Sequence, residues 1–217
     1  ANAGYDIALH YHRSIAAAAS AAEDIETLGV KCITFQADLA APAPETLINR
    51  VVDELPNLSV LINSASAYEA ATIANTSMEL LQQQFTVNFF APFLLTQAFA
   101  NLGSVQSGSK GIIINILDNK IAFQQNSYAM EYAPNVRING IAPGVVMPGT
   151  ERTDDYVTWR VNGIPLKKQG DVSHLLSAMN YLINNEFVTG QILTVDGGEG
   201  LNYQGLNAAQ FNDRDHG

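Results

Sequence analysis

Asp118 and Tyr128 place a carboxylate and a phenol in one connection of the stretch Gly111–Gly144. Two apolar runs, Ile112–Leu117 and Val136–Ile141, flank that connection. Both have the β-branched composition of strands buried on both faces of a parallel sheet. Asp118 leaves the carboxyl end of the first run, where open α/β sheets collect their chemistry. An acid and a phenol at such a crevice form a proton-transfer pair. Other chemistries are poorly supplied. His10, His12, His174 and His216 show no metal-ligand spacing, and His10 and His12 alternate along a strand and so face opposite sides; no metal site is expected. Cys32 is the only cysteine, which excludes an intrachain disulfide, and Lys-Cys-Ile-Thr-Phe reads as a strand with a buried, inert thiol.

These groups need a frame, and the periodicity of the chain supplies one. Tyr5–Tyr11 alternates as a strand, and Ser14 then caps an Ala-rich helix, Ile15–Leu28, that Gly29 ends. Val30–Gln36 is the next strand, followed by Ala37-Asp38-Leu39. Leu47, Ile48, Val51, Val52 and Leu55 recur at helical spacing. Leu58–Ile62 is a short buried strand closing in Asn63-Ser64-Ala65-Ser66. Thr76-Ser77-Met78-Glu79 has the form of a capping box and opens a helix to about Ala100. Pro92 should bend that helix and leave the carbonyl of Asn88 without its donor. Gly103–Lys110 reads as loop, Asp171–Asn184 as an amphipathic helix, and Gln191–Val195 as a last strand before Asp196-Gly197-Gly198. Strands alternating with helices predict an α/β fold with a doubly wound, Rossmann-type parallel sheet and helices on both faces. Residues 1–200 read as a single domain and 201–217 as a polar tail.

The net charge of −10 argues against a nucleic-acid partner, because no basic stripe is available to neutralise phosphates. A small anion needs only one local Arg and a few backbone N–H groups. No stretch approaches the roughly 20 apolar residues of a membrane span, and no charged and apolar leader opens the chain. A cytoplasmic protein that acts on a small molecule is the expectation.

Several segments, in order, resemble the short-chain dehydrogenase/reductase family over all but the tail. Asn63-Ser64-Ala65-Ser66 resembles the Asn-Asn-Ala-Gly segment of that family, and Phe85–Pro92 resembles its helix bearing a catalytic Asn. Arg137–Gly144 and Val188–Gly198 match its two late strands. Within the family, three features resemble the pteridine reductase and dihydromonapterin reductase branch. Leu9-His10-Tyr11-His12-Arg13-Ser14 carries an Arg where an NAD site would carry an acid, so the resemblance implies NADP(H). Asp118 stands where most of the family has Ser, and Tyr68 stands where the branch has an aromatic able to stack a pterin.

By resemblance the catalytic residues are Asp118, Tyr128 and Asn88. The cofactor would meet His12, Arg13, Ser14, Asp38, Leu39, Asn63, Ala65, Pro143 and Gly144, and the substrate Ser66 and Tyr68. A pterin-like substrate and a homotetramer are implied. A carbonyl reductase of the 3-ketoacyl type is the alternative within the family, and a non-catalytic binding or subunit module the alternative outside it. The chain departs from the family at three points. The first strand with its Gly-rich turn is not among residues 1–217. Asp118 and Tyr128 are a few residues closer than the family spacing. The helix expected between Met130 and Glu131 is missing with its Lys, and Tyr132 stands four residues after Tyr128.

Overall fold

The computed structural model describes residues 1–69, 75–106, 110–117, 129, 132–147 and 152–201. The chain divides into two compact units, Ala1–Leu61 with Ala65–Gly111, and Ile62–Ser64 with Ile112–Gly217.

In the first unit, β1 (Ile7–Tyr11) runs parallel to β2 (Cys32–Gln36), with Ile7 opposite Cys32 and Tyr11 opposite Gln36. Helix α1 (Ile15–Glu26) crosses between them, as parallel pairing requires. Helix α2 (Thr46–Glu54) turns Leu47, Ile48 and Val51 inward. They meet Phe35 and Leu39 from β2 and its exit, and Ala91 and Leu95 from a later helix. Arg50 lays its guanidinium over the Phe35 ring, 5.9 Å from the centroid, and donates to the Gln36 carbonyl. Cys32 is buried, as its strand setting predicts.

The long helix predicted to about Ala100 is continuous but changes pitch. Helix α3 (Met78–Phe85) is followed by a π turn, Thr86–Phe90, and by α4, Ala91–Ala100. Ser77, rather than Thr76, is the N-cap, and its hydroxyl accepts from the Leu80 N–H. Just before Pro92, in the π turn, the Ala91 N–H bonds the carbonyl of Thr86, five residues back. A π turn widens the helix by one residue and re-aims the side chains on it. A short helix, α5 (Gly103–Gln106), occupies part of the stretch predicted as loop.

Strands β3 (Val60–Asn63), β4 (Gly111–Ile116), β5 (Val136–Pro143) and β6 (Ile192–Val195) pair in the order β3-β4-β5-β6. β5 and β6 run parallel, with Gly140 opposite Ile192. Ile113, Ile114, Ile138, Ile141, Ile164 and Leu182 are all but inaccessible, each burial being worth roughly 2 kcal/mol. Helix α6 (Asp154–Gly163) lies in a stretch with no apolar period, and α7 (Val172–Asn184) follows with Asp171 as its N-cap. Parallel strands with intervening helices are the predicted α/β class. The pairing nevertheless forms two sheets, β1-β2 and β3-β4-β5-β6.

Candidate functional site

The exit of β1 gathers polar side chains that the fold does not consume. His12, Arg13 and Ser14 are all exposed. The His12 carbonyl accepts from the Gln36 side chain at 3.1 Å, which fixes the chain as it leaves the strand. Ser14 is the N-cap of α1, but its hydroxyl makes no cap bond; the Ile15 N–H is spent on the Arg13 carbonyl, so the hydroxyl and the N–H groups of Ala16 and Ala17 remain for an outside acceptor. The Arg13 guanidinium forms no ion pair with any described residue. Asp38 sits across from this turn, where its Oδ2 lies 3.6 Å from His12 Nε2 and its Oδ1 accepts from the Ala40 N–H at 2.9 Å. Leu39 buries its side chain in the core, which leaves only its backbone for a ligand.

The segment after β3 is held from two places. Asn63, nine-tenths buried, donates from Nδ2 to Asn115 Oδ1 on β4 at 2.8 Å, an amide pair spanning two strands. In the first unit, Asn88 in the π turn both accepts from the Ala67 N–H (2.8 Å) and donates to the Ala67 carbonyl (2.7 Å). One side-chain amide thus pairs with a backbone residue as a neighbouring strand would. Ala67 separates Ser66 from Tyr68, and both are exposed, Tyr68 at 80%. Asn88 therefore positions the backbone that carries both substrate candidates, a role the sequence reading did not give to its side chain. Ala65 is also exposed.

The carboxyl end of β5 is shaped by close approach. The Gly144 N–H donates to the Val195 carbonyl at 3.0 Å. A Cβ on Gly144 would lie 2.7 Å from Asp196 Cα, so only glycine fits beside that backbone. Pro143 is half-buried opposite Val195. Asp196 is buried, and its carboxylate accepts from the N–H groups of Gly198 (2.8 Å) and Gly200 (2.6 Å), folding the turn after β6 back on itself. Two further anchors went unread in the sequence. Arg137 donates to the carbonyls of Leu182 and Ile183 at the end of α7 and to that of Val188; burial pushes its pKa down. Asn139, fully buried, donates to Val188 O and accepts from Gln191 N, both at 3.1 Å. Polar residues inside apolar strand runs were the available signal for Asn115, Arg137 and Asn139.

β4 brings the chain to Leu117, whose N–H bonds the Ile141 carbonyl. Asp118 and Tyr128 lie outside the described residues. Among the described residues no three His, Cys, Asp or Glu side chains gather as a metal set, and no helix is long and apolar enough to cross a membrane.

The sequence pattern of the short chain dehydrogenase family matches residues 1–125, and that of the Enoyl-(Acyl carrier protein) reductase family matches residues 125–199. A dihydromonapterin reductase of Enterobacter sp. is 26% identical, over 83% of this chain and 82% of its own. The crystal structure of FolM alternative dihydrofolate reductase 1 from Brucella suis, in complex with NADP, superposes with a TM-score of 0.87 at 23% identity, over 94% of this chain and 88% of that one. Acetoin dehydrogenase YohF from Salmonella typhimurium has a TM-score of 0.82 at 24% identity, over 95% and 90%.

Proposed function

This chain belongs to the short chain dehydrogenase family, and we propose that it is an NADPH-dependent reductase acting on a pterin or dihydrofolate-like ring. The observation that carries the cofactor choice is the exit of β1. Arg13 and Ser14 stand together at a helix N-terminus, exposed and unspent, where a charged guanidinium and a hydroxyl suit a 2′-phosphate. Asp38 and the backbone of Leu39 would bound the adenine. Asn63, Ala65, Pro143 and Gly144 would line the nicotinamide end. The Gly-rich turn that holds the pyrophosphate in such folds is not among residues 1–217, so the fit is to the adenosine and nicotinamide ends.

NADPH, when bound, supplies the hydride. The chain's own residues do the rest. Tyr68, a ring standing free in solvent, would stack a planar substrate, and Ser66 would hydrogen-bond it. Asn88 holds the backbone between them through Ala67. Asp118 and Tyr128 would deliver the proton to the ring nitrogen. The lysine that lowers the tyrosine pKa in the family has no counterpart four residues on, where Tyr132 stands, so Asp118 would carry more of the proton delivery. The named activities of the dihydromonapterin reductase and FolM relatives agree with this reading. A homotetramer built on one catalytic domain completes the proposal.

A carbonyl reductase is the second reading, favoured by the likeness to acetoin dehydrogenase. The test follows NADPH oxidation with dihydrobiopterin, dihydrofolate and a β-ketoester in parallel. Turnover of the pterins supports the proposal, turnover of the ketoester alone replaces it with the second reading, and no NADPH binding at all makes the chain a non-catalytic module.

A further inference from the structure

Tyr68 is 80% exposed, yet the chain that carries it is held one residue before it and one residue after. Asn88 accepts from the Ala67 N–H at 2.8 Å and donates to the Ala67 carbonyl at 2.7 Å. Gln84 Nε2 donates to the Glu69 carbonyl at 3.1 Å. The two amides stand four residues apart, one in the last turn of α3 and one in the π turn that follows, and so project from successive turns on one side of the helix. Four residues of helix rise about 6 Å and two residues of extended chain about 6.8 Å. The spacing of the amides therefore matches that of their targets, with the segment running antiparallel to the helix. All three bonds go to backbone atoms, and Ala67 between helix and ring brings only a methyl group. A ring as open as Tyr68 returns little by burial, so the anchoring does not serve its packing. What it fixes is the backbone from which the ring projects, and order supplied before binding is a cost that binding no longer carries.

We propose that Gln84 is a positioning residue for the substrate: together with Asn88 it anchors the chain on both sides of Tyr68, so that the ring is offered to a planar substrate from a fixed backbone. The inference rests on the reductase reading for that substrate. The anchoring itself is readable without any activity.

Two variants and two measurements test it. Gln84→Met keeps the length of the side chain and removes its donor, whereas Gln84→Lys supplies N–H donors of comparable reach. By NMR, the backbone order parameters of Tyr68 and Glu69 are expected near about 0.85 in the unaltered chain and below about 0.6 in Gln84→Met, with α3 and α4 unchanged. KM for dihydrofolate should rise about three- to tenfold in Gln84→Met, with kcat changed less than about twofold and NADPH affinity unchanged. Gln84→Lys should return both readouts toward the unaltered chain. In a Tyr68→Ala chain, Gln84→Met should raise KM less than about twofold, because the ring through which Gln84 acts is gone. Order unchanged in Gln84→Met, or a Lys variant no better than Met, would show that the bond to the Glu69 carbonyl does not hold the segment. Order lost equally in α3 and α4 would show a purely structural residue, and an equal rise in KM with and without the Tyr68 ring would show that Gln84 acts elsewhere. Any of these overturns the inference. Absence of NADPH oxidation by the unaltered chain would instead remove the reductase reading, while the order parameters still uphold or overturn the anchoring.

Discussion

Replacing Asn88 with Ala removes both bonds that hold Ala67, one accepted from its N–H at 2.8 Å and one donated to its carbonyl at 2.7 Å. Each such bond has a net worth of roughly 0.5–1.5 kcal/mol. Both groups are open to water, which can replace part of what is lost, so the expected cost is about 1–2 kcal/mol rather than the sum of two buried bonds. For a chain of this length that corresponds to a fall in Tm of roughly 2–8 °C. Asn88→Asp separates the bonds. A carboxylate still accepts from the Ala67 N–H but faces the Ala67 carbonyl with a second acceptor, so it should cost at least as much as Ala despite its near-identical shape. Thermal unfolding of the three chains reads the stability. Steady-state NADPH oxidation reads the second consequence, a rise in KM as Ser66 and Tyr68 lose a fixed backbone between them. If Asn88→Ala shifts Tm by less than about 1 °C, within the range of an ordinary surface substitution, the strut is refuted. Were kcat alone to fall, with KM and Tm unchanged, the helix carbonyl rather than the side chain would be what matters at this position.

Arg13→Ala should weaken NADPH by roughly 10- to 100-fold, the worth of charge-assisted bonds to a phosphate, with NADH nearly unaffected; titration with both cofactors checks it, and equal loss removes Arg13 from the phosphate role. Gly144→Ala forces a Cβ to within 2.7 Å of Asp196 Cα and, since backbone must move, should cost about 1–3 kcal/mol and raise KM for the cofactor; calorimetry and kinetics on one preparation measure both. Asp171 caps α7, and its bonds from Ser173 hold its pKa below the usual carboxylate range. A depressed folded value means that its contribution is present above the unfolded pKa of about 3.9 and lost as pH falls through the folded value. Asp171→Asn should therefore flatten the acid limb of a Tm–pH profile, and an unchanged limb would show that other carboxylates set it.

How much of this was legible depended on range. Apolar periodicity located the six described strands and most of the helices, because period 2 and period 3.6 are written within a few residues. It missed α6, whose few apolar residues stand among polar ones in sequence and whose Arg160 finds its partner Glu199 39 residues on. Next to Pro92 the helix shifts from i→i−4 to i→i−5 bonding, a local change that sequence pattern does not announce. The cap moved from Thr76 to Ser77, a one-residue ambiguity natural where two hydroxyls adjoin. The strands pair as two sheets, β1-β2 and β3-β4-β5-β6, rather than as the one sheet that their alternation with helices predicts. The segments proposed for cofactor and substrate follow β1, β3 and β5. Asp118 and Tyr128 are assigned by sequence alone.

The residues that sequence reading undervalued are mostly amides, and their chemistry explains why. A side-chain amide carries a donor and an acceptor at the spacing of a peptide group, so it can complete a backbone pairing that the chain's own path cannot reach. Asn88 does this for Ala67, Asn139 spans Val188 O and Gln191 N, and Asn63 meets Asn115 across two strands. The contacts of Asn88 and Asn63 lie where β3 hands over to the loop that bears candidate ligand-binding residues, and that of Asn139 fixes the entry to β6. A charged residue could supply only one half of such a pairing, and burying it there would cost more than it returned. In a chain of net charge −10, neutral amides fix these loops without adding to the negative field that a phosphorylated cofactor must approach. That division of labour, amides for position and Arg13 for charge, makes the single guanidinium the residue on which selectivity between NADPH and NADH should turn.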